Sequence, residues 1–197
     1  MNNKKEGIMP AKSQTQTLDF DPSEHAIALV VVNISNYQSI VSKLLQKLVR
    51  DKHVPSVYIN LNKPYDTIAK NMSKDKIDPN SIIFIDSVTT IRDELKRAEN
   101  CLFLGHHQNL TDISIATSEA VEAITSENKI LFLDSINNLL IYNDHTTVLR
   151  FTRFLIGKLR NWKCGAVIFV LKEKSSEDLI KEISQATDIV IDYGGEE

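Results

Sequence analysis

The sequence predicts a three-layer α/β domain with a largely parallel sheet of about seven strands. Three observations carry this expectation. Short apolar runs rich in Val, Ile and Phe recur along the chain. Stretches of helical spacing alternate with them. The apolar runs show little period-two alternation, so both faces of each strand are expected to be buried, as in parallel sheets.

The strands are expected at 26–32, 56–61, 81–85, 101–104, 130–133, 166–171 and 188–191. Between the first two, the stretch 36–50 places Ile40, Val41, Leu44, Leu45, Leu48 and Val49 on one helical stripe. Pro64 suits the first turn of a shorter helix at about 64–72. Residues 90–98 read equally as a short helix or a loop. In 111–127 the stripe is Ile113, Ala116, Ala120, Val121 and Ile124. In 144–162 it is Val148, Phe151, Leu155, Leu159 and Trp162, with Asp144 as the starting cap. In 176–187 it is Leu179, Ile180, Ile183 and Ala186, with Ser176 before it and Glu177 and Asp178 in its first turn.

The chain of 197 residues is long enough for one such domain, with 42% hydrophobic and 25% charged residues. Residues 1–24 are polar and lack an apolar period, so they read as a flexible tail before a single domain at 25–197. The net charge of −3 gives no general attraction to nucleic acid or anionic lipid. The longest apolar run, 26–32, is far shorter than the roughly 20 residues of a membrane helix. Cys101 and Cys164 have no motif spacing and read as reduced thiols. With no export signal at the N-terminus, they point to the cytoplasm.

Glycine is scarce, at six residues, and only Gly105, Gly157 and Gly165 fall between residues 24 and 193. No glycine-rich phosphate loop and no G-x-S-x-G elbow is present. The candidate chemistry lies at strand ends. IIFIDSVTT (82–90) and ILFLDSINN (130–138) echo each other, each an apolar strand closing on Asp-Ser. Asp86 with Ser87, and Asp134 with Ser135, therefore sit where open α/β sheets bind ligands. The same residue types also cap turns and helix starts, and that reading is favoured for Asp86 and evenly balanced for Asp134. His106 and His107 extend the candidate edge site, although adjacent histidines without a spaced partner fit a polar loop better. Arg150, Arg153 and Arg160 form a basic face on the 144–162 helix, which reads as a solvated surface before a nucleic-acid face.

Three segments resemble the archaeal RecA/KaiC-like ATPases. VYINLNKPYDTI (57–68) is similar to their second-strand motif, and NKILFLDSINNLLIYND (128–144) to their Walker B strand. CLFLGHHQNLTDISIATSEAV (101–121) resembles the stretch preceding it in short archaeal KaiC-like proteins. The likeness spans about residues 26–192 and implies a RecA-like fold and an archaeal source. It also implies a nucleotide and Mg²⁺ role for Asp134 and Ser135. The departures are as informative. The expected phosphate loop is replaced by VVVNISNYQSIVSKLL (30–45), without glycine or Gly-Lys-Thr, and Lys43 falls inside a helix. The paired acids expected before Pro64 are Asn62 and Lys63. The expectation is therefore a pseudo-ATPase with weak or absent ATP and Mg²⁺ binding, no catalytic residue and no resident metal. It would act through a protein partner, either an active RecA/KaiC-like relative or a second copy, in a regulatory or signalling role. The alternatives are a residual phosphate-handling enzyme using Asp86 and Asp134, and a nucleic-acid-binding accessory of the recombinase-paralogue kind.

Overall fold

The computed structural model describes residues 24–89, 98–105 and 109–195. Seven parallel strands form one sheet in the order β4-β3-β2-β5-β6-β1-β7. They are β1 (Ile27–Val32), β2 (Ser56–Asn60), β3 (Ile82–Asp86), β4 (Cys101–Phe103), β5 (Ile130–Asp134), β6 (Gly165–Leu171) and β7 (Ile189–Asp192). The expected strands are all present, with no end shifted by more than one residue. The helices are α1 (Tyr37–Leu45), α2 (Tyr65–Lys74), α3 (Leu110–Ala123), α4 (Ile136–Leu139), α5 (His145–Asn161) and α6 (Glu177–Ser184). The expected helix at 36–50 is α1 followed by π-helical turns at Gln46–Asp51. Residues 1–23, most of the 90–98 segment, and His106 and His107 lie outside the described residues.

Chain direction sorts the helices onto two faces. From β1 the chain steps towards β4, and from β4 it steps back towards β7. Right-handed crossovers then place α1 and α2 on one face and α3, α5 and α6 on the other. Strand parity completes both layers. Ala28, Val30, Tyr58, Phe84, Phe132 and Phe169 pack with α1 and α2. Leu29, Val31, Ile59, Leu131, Leu133 and Ile168 pack with the opposite helices. Burial on both faces explains the near-continuous apolar runs.

One helix start is as expected, and two differ. Asp144 caps α5, accepting from Thr147 N at 2.9 Å. Ser176 does not cap α6. Its hydroxyl donates to Leu171 O at 2.7 Å and Glu173 O at 2.9 Å, fastening the turn that leaves β6. Pro64 stands just before α2 and offers no side-chain cap. The cap arrives instead from another strand.

Candidate functional site at the carboxyl edge

Three strands end in a polar row. Asn60 of β2 pairs in register with Asp86 of β3 on one side and Asp134 of β5 on the other. By strand parity all three belong to the α1 and α2 face. The helices that follow β2 and β5 lie on opposite faces, so a crevice opens between these two strands.

Asp86 is fully buried and fully used. One carboxylate oxygen accepts from Val88 N at 2.7 Å and Thr89 N at 2.9 Å. The other accepts from Tyr65 N at 2.8 Å and the Thr89 hydroxyl at 2.6 Å. Asp86 thus holds the β3 exit turn and caps α2 at once. Ser87 is turned inward, its hydroxyl donating to Asn60 O at 3.2 Å.

Asp134 differs. It is 7% exposed. Its Oδ2 accepts from the buried Tyr58 hydroxyl, and its Oδ1 finds no partner among the described residues. Burial pushes its pKa up to about 7, because a charged carboxylate loses its hydration there. Burial likewise raises the Tyr58 hydroxyl, which stays a neutral donor. The Ser135 hydroxyl and Asn60 Oδ1 are also buried without a partner among the described residues. Asn60 Nδ2 donates to Lys63 O at 2.9 Å.

A cavity of about 30 Å³ adjoins Asp134, bounded by Tyr37, Ser42, Tyr58, Lys63 and Asp75 among others. That admits about two waters. Small-ligand sites run to roughly 300 Å³ or more. Several polar groups of the wall are already engaged. Ser42 donates to Asp75 at 2.6 Å and Lys63 Nζ to Gln38 Oε1 at 2.7 Å. Tyr37 Oη, 8% exposed as a residue, joins Asp134 Oδ1 as a buried group without a partner among the described residues.

The turn leaving β1 is short. Asn33 to Asn36 connect β1 to α1, and the N–H groups of Asn36 and Tyr37 both donate to Asn33 O, at 3.2 and 3.0 Å. An anion site at a helix start needs such N–H groups free to point at the ligand. Here the N–H groups of Asn36 and Tyr37 close on the chain itself.

The basic face is partly spoken for. Arg160 pairs with Asp188 at 2.9 Å and also donates to Ala186 O at 3.0 Å. Arg153 approaches Glu182 at 3.8 Å. Arg150 is exposed on α5. These contacts tie α5 to α6 and the start of β7. Cys101 and Cys164 are free thiols, and burial raises both, Cys164 to about 12. Among the described residues no group of three or more His, Cys, Asp or Glu is placed to hold a metal.

The structure therefore brings Asp86 and Asp134 to one edge, on either side of Asn60. It adds Asn60, Tyr58 and Tyr37, which sequence reasoning missed. A signal existed for Asn60. VYIN, IIFID and ILFLD are each an apolar strand ending in Asn or Asp.

The three-layer arrangement is a RecA/KaiC-like α/β fold, and two solved structures from the archaeon Pyrococcus horikoshii share it. The KaiC-like protein PH0186 superposes with a TM-score of 0.61 at 14% identity, over 86% of this chain and 72% of its own. The uncharacterized protein PH0321, solved in complex with an unknown peptide, gives 0.65 at 11%, over 85% and 77%. The chain belongs to the family of unknown function DUF7504, whose model matches residues 73–193. That stretch contains Asp86 and Asp134 but not the turn after β1. No curated protein matches the sequence.

Proposed function

We propose that this chain is a RecA/KaiC-like domain without ATPase activity that works by binding another protein, in a regulatory or signalling role. The observation that carries the reading is the turn after β1. It has four residues and no glycine, and Asn33 O takes the N–H groups of Asn36 and Tyr37 at the start of α1. Asn62 and Lys63 stand where the resemblance expects acids. PH0321, which shares the fold, was solved holding a peptide, and a polypeptide partner for this chain agrees with that. Isothermal titration with Mg-ATP tests the proposal. No heat and no phosphate release are expected; micromolar binding with turnover would sink it.

A second reading keeps a phosphate or metal role at Asp134, favoured by its unpartnered Oδ1. Metal analysis of the purified protein, and of the Asp134→Asn variant, separates the two. Metal bound by the parent and lost from the variant supports this second reading.

A further inference from the structure

Among the described residues the two ends of the sheet are protected unequally. β7 carries Asp192 at its end and follows Asp188, and these acids pair with Lys172 and Arg160. Charges on a terminal strand discourage another strand from adding to it. β4, at the opposite end, reads Cys-Leu-Phe and is followed by Leu104, with no charge in the run. Its backbone bonds to β3 through Asn100 O and Leu104 N. By the alternation of a parallel pair, Leu102 faces β3 as well. Phe103 N–H and the carbonyls of Cys101 and Phe103 then point away from the sheet.

An apolar groove runs beside this edge. A cavity of about 260 Å³ lies between β4 and α3, lined by Leu102, Leu104, Ile115 and Ala116. Leu102 is 36% exposed and Ile115 54% exposed. Asp112 and Glu119 flank Ile115 and line the same groove. The groove therefore offers outward hydrogen-bonding groups, apolar contact and negative charge together.

We propose that the β4 edge takes an extended peptide segment of a partner protein, with alternate apolar residues and a basic residue beside them. The segment adds as an eighth strand. Its backbone pairs with Phe103 N–H and the outward carbonyls, its apolar side chains meet Leu102 and Ile115, and its cation meets Asp112 or Glu119. A second copy of this chain fits less well. It would bring uncharged β4 against uncharged β4 while setting the two Asp112 and Glu119 pairs near each other. This inference deepens the protein-binding reading above and rests on it.

The test uses the full chain, ¹⁵N-labelled, titrated with the peptide Lys-Thr-Val-Thr-Val-Thr-Lys. The comparison peptide replaces both lysines with Glu. Saturable shifts at Leu102, Phe103 and Ile115, with slowed hydrogen exchange at Phe103 N–H, are expected for the lysine peptide. Binding at least tenfold weaker is expected for the Glu peptide and for the exposed-site variants Leu102→Lys and Ile115→Lys. No shift at the β4 edge, shifts centred elsewhere, or equal binding of both peptides would overturn the proposal. So would sedimentation showing a dimer that Leu102→Lys dissolves. Failure of the broader reading looks different: Mg-ATP would shift residues 33–38 and leave β4 unmoved.

Discussion

The carboxylate of Asp86, at the end of β3, accepts a hydrogen bond from the backbone N–H of Tyr65, the first residue of α2, at 2.8 Å. A strand end thus caps a helix 21 residues earlier in the chain. Pro64, immediately before α2, has no side chain able to do so. The capping is tertiary, and it explains why a buried acid here has no spare oxygen for a ligand.

Replacing Asp86 with Ala strips partners from three backbone N–H groups and the Thr89 hydroxyl. The expected loss is roughly 3 kcal/mol or more, since each buried donor left unpaired costs about 1–3 kcal/mol. Urea denaturation measures it. A variant of unchanged stability would remove the capping role.

Asp134 links stability to pH. Its folded pKa of about 7 lies above the ordinary value of 3.8. The folded state therefore holds the proton more tightly than the unfolded chain. Its contribution is fully present below about pH 4 and is lost as pH rises through about 7. The span is on the order of a few kcal/mol. Asp134→Asn is expected to flatten this part of the stability profile between pH 5 and 8, and thermal melts across that range check it. A parent profile as flat as the variant's would contradict the assignment.

Tyr58 is the only hydrogen-bond donor to the Asp134 carboxylate among the described residues. Tyr58→Phe leaves Oδ2 unpaired and should cost about 1–3 kcal/mol. Adding Asp134→Leu removes the stranded acceptor, and the double variant should recover much of the loss. Chemical denaturation of both variants decides this. A double variant weaker than Tyr58→Phe alone would mean that Asp134 has a second partner.

Arg160→Ala removes an ion pair whose side chains are 47% and 37% exposed. Such pairs contribute under about 1 kcal/mol, so a small drop in Tm is expected. If the arginine face is structural, binding to duplex DNA at low salt is absent both before and after the substitution. Salt-dependent DNA binding abolished by Arg150→Ala and Arg160→Ala would instead revive the nucleic-acid reading.

Much of the architecture was legible because it depends on local pattern. A strand buried on both faces must be apolar throughout, and 130–133 or 166–171 cannot satisfy a helical stripe as well. The stripes of α1, α3, α5 and α6 each face one layer, so spacing alone revealed them. Ser176 misled because its residue type suits a cap, while its hydroxyl is claimed by Leu171 O from the preceding strand.

Asp86 and Asp134 show where sequence runs out. They have the same type, the same Asp-Ser context and the same register against Asn60. The sequence by itself determined the strands, the helices and the polar strand ends. Tertiary structure decided that Tyr65 N–H at the start of α2 joins the local Val88 and Thr89 donors on one acid, while Tyr58 and a small cavity leave the other with an oxygen unpartnered among the described residues. The reason is physical: a buried carboxylate's role depends on which donors reach it, and the two that spacing along the chain could not reveal, Tyr65 N–H and the Tyr58 hydroxyl, come from positions 21 and 76 residues away.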